Sequence, residues 1–359
     1  MTHLHYALKL LAVNSVVLLA GLVVIELVFG GWIHEQRLNR LNLVKDCSLQ
    51  YDVPHLYDDP HPTIRYTRDR YGLRGNYGTP DRIDILTVGG STTDQRYIGD
   101  GETWQDVLQG RFRQAGVDVA VANAGVDGQS TFGHIKDFEW WFPNIPGLRP
   151  SYVLFYVGIN DFHKEVGYSF DALQRDPSGL EERIKTNSIL YHMARTTRGA
   201  IDAMVVKKIG HRSIDFSEEK YTERRMLTDY SFMDVRLAEY ASRLRALAMM
   251  TRKLGEKPVF VSQPSRRYRF TPAGAQGEDW EDSYDGHAFN GVDYYHMMRR
   301  LDGVTRTISD EENAIFVDLA AHPGWEDADF YDTEHMTPRG AEKVGDLLYE
   351  HLKEAARLF

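Results

Sequence analysis

Five short apolar runs decide what this chain can fold into: Ile83–Val88, Val117–Ala122, Tyr152–Val157, Pro258–Ser262 and Ala314–Leu319. Each has a β-rich composition and is bounded by Gly, Pro or polar residues, as buried strands are. Helical patterns separate them, as in Thr103–Ala115, Tyr240–Gly255 and Pro338–Leu358. Strands that alternate with helices pair in parallel, so the expected architecture is a parallel sheet with helices on both faces. Ligands of such a sheet bind outside the carboxyl ends of its strands.

The connection between the third and fourth strands, about residues 161–257, is long. It holds helical stretches over Ser188–Val205 and Met233–Lys253 and the polar turns "RDPSG" and "GHRSIDFSEEK". It is read as a helical insertion over about 165–235, followed by the helix that leads into strand four. The remaining divisions are a membrane anchor over 1–34, a turn-rich stalk and lead-in over 35–80, and the main domain over 81–359.

The anchor is "LLAVNSVVLLAGLVVIELVFGGWI", Leu10 to Ile33, long enough to span a bilayer as a helix. It lacks a small-x-small cleavage site, which favours an uncleaved anchor over a removed signal peptide. Trp32 suits the interface. Glu26 lies inside the run, and the plain reading is that it reaches the headgroups or stays protonated. Lys9 precedes the span and Arg37, Arg40 and Lys45 follow it. The positive-inside rule alone puts the large domain in the cytoplasm.

Composition narrows the function classes. With 359 residues, 42% hydrophobic and 26% charged, the chain is a folded globular protein. A net charge of −10 leaves no basic surplus for nucleic acid. The pairs Lys207-Lys208 and Arg266-Arg267 are too short to change that and read as solvated faces. The single cysteine, Cys47, forms no internal disulfide and has no thiolate-site surroundings. No H-E-x-x-H occurs among the 14 histidines and no Gly-Lys-Ser/Thr phosphate loop is present, so no metal or other cofactor is expected.

The strand ends carry the chemistry. After the first comes Gly89-Gly90-Ser91, and after the second "NAGVDGQS", Asn123 to Ser130. The third is followed by "GIND", Gly158 to Asp161, and the fourth by "QPSRR", Gln263 to Arg267. The fifth leads to "YDTEHMTPRG", in which Thr337-Pro338 reads as a helix N-cap and first helical position. Asp332 and His335 then share one turn, where the carboxylate can accept the Nδ1–H and leave Nε2 as a base. A base beside Ser91 makes its hydroxyl a useful nucleophile. The Ser91 N–H, Gly128 and the Asn160 amide can supply oxyanion donors. Each feature also has a plain reading: Ser91 as a helix cap, Asp332 and His335 as a surface loop, Asn160-Asp161 as a turn.

Together these residues resemble the SGNH hydrolase superfamily, the GDSL-type esterases, in a membrane-anchored bacterial form. Ser91 in "VGGSTT" matches the nucleophile block, with Gly90 in place of the aspartate of the GDS form. Gly128 in "NAGVDG" and Asn160 in "GIND" match the oxyanion residues. Asp332 and His335 in "DTEH" match the Asp-x-x-His block, and the likeness covers about residues 81–357. It implies a flavodoxin-like three-layer α/β/α fold with a five-stranded sheet and a serine-ester mechanism without metal. "RYTRDRYGLRG", residues 65–75, also resembles the segment before the first strand in anchored members. Such members act on carbohydrate esters outside the cytoplasm, which runs against the Lys/Arg count around the anchor.

The reading is a membrane-anchored serine esterase with catalytic Ser91, Asp332 and His335, acting on acyl (O-acetyl) esters of a glycan. Gln263 and Arg266 are candidate substrate contacts. The alternatives are a carbohydrate O-acyltransferase using the same triad and a non-catalytic partner in envelope or polysaccharide assembly. Trp140-Trp141-Phe142 and Tyr294-Tyr295 are open to sugar stacking or to core packing.

Overall fold

The computed structural model describes residues 2–33, 41, 43–163, 179–191, 193–194 and 210–356. Lys207-Lys208, the "RDPSG" turn up to Pro177-Ser178 and most of the expected helix over Ser188–Val205 lie outside them. The chain divides into two compact units, Met1–Leu41 with Gln174–Lys207, and Asn42–Leu173 with Lys208–Phe359.

The first unit contains α1 (Thr2–Phe29) and a helix over Leu180–Asn187, the sixth along the chain and hence α6. Lys9–Phe29 is long and apolar enough to cross a membrane. Glu26 differs from expectation. Its carboxylate accepts the Ser188 hydroxyl at 2.5 Å, the Trp32 indole N–H at 2.8 Å and the N–H groups of Ile189 and Leu190 at 3.2 Å. The acid in the apolar run is bonded to a second segment of its own unit.

The second unit opens with an antiparallel pair, β1 (Cys47–Asp52) and β2 (Thr63–Arg68). Val53, Leu56, Tyr57, Ile64 and Tyr97 form a buried cluster around this pair. Next come β3 (Ile85–Gly89), α2 (Ser91–Asp94), α3 (Trp104–Gln114), β4 (Val121–Asn123), α4 (Thr131–Trp140), β5 (Tyr152–Val157) and α5 (Ile159–His163). After α6 follow β6 (Tyr221–Thr222), α7 (Asp234–Lys253) and β7 (Lys257–Ser262). The chain ends with β8 (Tyr268–Thr271), β9 (Gly274–Glu278), β10 (Asp282–Tyr284), β11 (His287–Phe289), α8 (Gly291–Glu311), β12 (Ile315–Val317) and α9 (Pro338–Ala356).

The five expected strands form one parallel sheet in the order β4-β3-β5-β7-β12. The second starts at Val121 rather than Val117, because side chains take its first N–H groups: Asp84 accepts from Ala120 and Gln109 from Val121, both at 2.8 Å. Every residue of β5 is buried, which explains its unbroken apolar run. Leu154 and Tyr156 face a core shared with Trp104, Leu108 and Phe112 of α3 and Val344, Leu348 and Leu352 of α9. Phe155, on the opposite pleat, stacks on Phe260 at 5.1 Å and on Phe138 of α4 at 6.0 Å. The strand order reverses between β3 and β5, the switch point where doubly wound sheets bind ligands.

One excursion was not anticipated. Between β7 and α8 the chain forms β8 and β9, with β9 pairing to both β8 and β6, and the β10–β11 hairpin. The hairpin turns on Asp285-Gly286, both at positive φ, a strong Asp-Gly turn signal.

The segment before the sheet fastens the turn after β3. Arg68 donates to the Asp94 carboxylate at 2.6 Å, and Tyr66 donates to the same oxygen at 2.8 Å. Both charges are buried. Arg74 donates to the carbonyls of Asp94, Gln95 and Ile98 at 2.6–2.9 Å. Removing one partner of a buried pair strands the other. Arg68→Ala is therefore expected to lower the unfolding free energy by about 3–5 kcal/mol in urea denaturation. A loss below about 1 kcal/mol would contradict that placement.

Candidate active site

β3 ends at Gly89 and the chain passes through Gly90 directly into α2. Ser91 is the first residue of that helix and Gly90 is the cap, so Ser91 is not the capping residue its sequence context allowed. Its hydroxyl stands 2.8 Å from His335 Nε2.

His335 and Asp332 occupy the turn before α9. The Thr337 hydroxyl oxygen accepts the Gly340 N–H at 3.3 Å, the expected N-cap bond. Asp332 Oδ1 accepts the N–H groups of Glu334 at 2.9 Å and His335 at 2.7 Å, which folds the turn. Asp332 Oδ2 lies 2.8 Å from His335 Nδ1. An ionised carboxylate only accepts, so the ring proton sits on Nδ1 and the Nε2 lone pair receives the Ser91 hydroxyl. The Tyr331 ring stacks on His335 at 5.6 Å with 9° between planes.

The pair is tuned in opposite directions. Burial opposes charge on His335, but the hydrogen bond and charge of Asp332, with Glu334 behind it, carry its pKa above the ordinary value. Burial likewise works against the Asp332 carboxylate, and the His335 contact with two backbone N–H groups holds its pKa below the usual range. Asp332 stays ionised, and His335 is a stronger base than free imidazole.

The expected oxyanion residues Asn160 and Gly128 lie after β5 and β4. The Asn160 amide donates to Gln129 O at 2.7 Å, which leaves its second N–H free to act. Gly128 adopts φ +79°, a left-handed turn that suits glycine. Gly90 is needed for close approach: a Cβ there would lie 2.1 Å from Asn160 Nδ2 and 2.9 Å from Gln129 O. The aspartate of the GDS form has no room at this position without moving Asn160.

Gln263 and Arg266 sit elsewhere in the design than the sequence suggested. Gln263 is buried, donates to Thr92 Oγ1 at 2.6 Å and accepts the Ile159 N–H at 2.8 Å. Arg266 is 5% exposed and pairs with Asp327, and its backbone N–H donates to Thr333 O at 2.7 Å. Both hold the loops together and neither has its polar groups open to a ligand. The Arg266-Arg267 pair is also no solvated face, since Arg267 packs over Trp280 at 4.9 Å. Trp141, Phe142 and Tyr294 are buried, which settles their role as core.

Several residues that sequence reasoning passed over complete the surroundings. Glu334 accepts from His163 Nε2 at 2.8 Å and lies 3.6 Å from Arg267. Burial works against its charge, but the hydrogen bond and charge of His163, with Arg267 and His335, hold its pKa down to about 2. Asp161 accepts from the Thr131 hydroxyl at 2.5 Å and from Arg243 at 3.2 Å, which fixes α5 against α4 and α7. His211 packs on His335 with ring centres 4.4 Å apart. Glu334 could have been flagged by its place inside "DTEH"; His211 has no local signal.

Residues 87–343 match the GDSL-like Lipase/Acylhydrolase family. No curated protein sequence matches the chain. Among solved structures, TesA is 14% identical over 75% of this chain and 98% of its own, with a TM-score of 0.41. The esterase EstA from Pseudoalteromonas sp. is 13% identical over 76% and 99%, with a TM-score of 0.41. A variant of the acetyl xylan esterase Axe2 from Geobacillus stearothermophilus is 16% identical over 76% and 93%, with a TM-score of 0.40. At these values the likenesses say nothing of substrate. The family match spans most of the chain, from within β3 to within α9: the chain belongs to the GDSL-like lipase/acylhydrolase family and is an ester-hydrolysing enzyme.

Proposed function

We propose that the protein is a membrane-anchored serine esterase that removes acyl groups, O-acetyl foremost, from a carbohydrate. The observation that carries this reading is the continuous relay Ser91–His335–Asp332, with 2.8 Å at each link. Ser91 Oγ attacks the ester carbonyl carbon while its proton passes to His335 Nε2. The developing oxyanion is held by the Ser91 N–H, the Gly128 N–H and the Asn160 amide. His335 returns the proton to the departing alcohol as the carbon–oxygen bond breaks. Water, activated by the same base, then releases the acyl group and restores Ser91.

The carbohydrate substrate rests on the resemblance to anchored esterases of this type, as does the placement of the domain outside the cytoplasm. Anchoring rests on the 21-residue apolar stretch Lys9–Phe29. Gln263 and Arg266 serve as scaffold in this reading.

A fluorophosphonate probe is expected to label the wild type and Thr92→Ala but not Ser91→Ala. Unlabelled wild type, under conditions that label another serine hydrolase, would overturn the triad. Asn160→Ala is expected to lower kcat on an acetyl ester by about 100- to 1,000-fold, with a smaller change in KM. Acyl transfer to an added glycan in preference to water would move the reading to an acyltransferase.

The pH dependence has a defined sign. His335 works only when neutral, and its pKa is raised, so kcat/KM should fall on the acid side through a value above about 6.5. Asp332→Asn should lower kcat by about 10,000-fold and move any residual acid limb downward. An acid limb well below 6 in the wild type would contradict the assignment of Asp332 as the partner that raises it.

A further inference from the structure

We propose that His211, Asp332 and His335 form a binding site for a transition-metal ion, zinc foremost, that switches the enzyme off when filled. Each offers one donor atom, and the three atoms lie within 4.8 Å of one another. Asp332 Oδ2 is 2.8 Å from His335 Nδ1 and 3.9 Å from His211 Nδ1. Zinc binds such donors at about 2.0–2.2 Å, which sets them roughly 3.4 Å apart in a tetrahedral site. The observed spacings straddle that value, so a swing of His211 that gives up its Nδ1 bond to the Tyr331 hydroxyl closes the set. All three side chains are 18–25% exposed, enough for an ion to enter with water as the fourth ligand.

His211 is held in place rather than trailing across the surface. Gly210 N donates to the Tyr97 hydroxyl at 3.4 Å and Ile214 N to Tyr331 O at 2.8 Å. The His211 ring meets Tyr97 edge-on at 4.9 Å, and its Nδ1 is hydrogen-bonded to the Tyr331 hydroxyl at 2.8 Å. The esterase steps need one histidine, and His335 supplies it. A second imidazole against the first, with a shared carboxylate, is a donor set of borderline softness. It suits Zn²⁺, Cu²⁺ or Ni²⁺ and is poor for Mg²⁺ or Ca²⁺, which take oxygen ligands.

The site itself stands on this geometry; its effect on turnover rests on the triad reading above. A metal bonded to His335 Nδ1 occupies that lone pair. The N–H bond at Nδ1 breaks, the ring's one proton is carried on Nε2, and the metal–nitrogen bond forms with no net proton lost from the ring. Nε2–H cannot accept the Ser91 proton, and Asp332, bound to the ion, no longer orients the ring. Acylation stops until a chelator removes the metal.

The test is a zinc titration of the full chain in detergent, read by competition with a chromogenic chelator, with magnesium as a parallel arm. One equivalent of zinc and no magnesium should bind, at least about tenfold more weakly in His211→Ala. His211→Cys supplies a thiolate, also a zinc ligand, and should keep affinity within about tenfold of wild type. The site is overturned by no binding up to about 100 µM free zinc, by binding that His211→Ala leaves unchanged, or by loss in both variants. Fluorophosphonate labelling of Ser91 is followed in the same samples. Zinc that binds through His211 yet leaves labelling unchanged overturns the switch and leaves the site standing, whereas wild type unlabelled without zinc counts against the triad reading.

Discussion

Arg68 and Asp94 meet where almost no water reaches, and the turn that carries Ser91 is built on that pair. A buried ion pair contributes little net stability, since desolvation offsets attraction, but it tolerates few geometries. That matters because α2 is only four residues long and has no independent stability. Asp94 closes this helix, three residues after Ser91. Arg68 fixes its carboxylate and Arg74 fixes the carbonyls beyond it. Gln95, the next residue, is held at φ +47°, which a non-glycine residue adopts at a cost of about 1–3 kcal/mol. The Trp104 N–H donates to its side chain at 2.9 Å and helps keep it there.

The other loops are tied to this turn and to one another. Gln263 joins Thr92 to Ile159, so the ends of β3, β5 and β7 cannot drift apart independently. Glu334 joins the His335 turn to His163 on the helix that bears Asn160. The proposed base and one proposed oxyanion donor are thus linked by a half-buried acid that never meets the substrate in that mechanism. Small displacements in such a site are costly, because a reacting geometry tolerates errors of well under about 1 Å.

The sheet was legible because its strands are buried on both faces, so β5 reads as an apolar run without alternation. The blocks that carry Ser91, Asp332 and His335 stood out as candidates because each is short and local: Gly-Gly-Ser at one strand end, Asp-x-x-His in one turn. What joins distant segments was not. Nothing near Arg68 announces Asp94 as its partner, and nothing near His211 announces His335. Gln263 and Arg266 were misjudged for a related reason. Polar residues after a strand look available to ligand, yet here several loops cover the strand ends and consume them as mutual partners. The β10–β11 hairpin was legible at Asp285-Gly286 and was missed because attention stayed on the parallel strands.

Ser91 and His335 stand 244 positions apart in the chain. His335 precedes α9, and α9 packs through Val344, Leu348 and Leu352 on the same core as α3. The early half of the site can therefore fold around Arg68 and Asp94 while the base is still missing. Contacts of such sequence separation form late, because the closure entropy of the intervening chain comes first. A chain still being made holds Ser91 with no His335 beside it. In the proposed triad, docking of the last helix is then the event that brings His335 to Ser91.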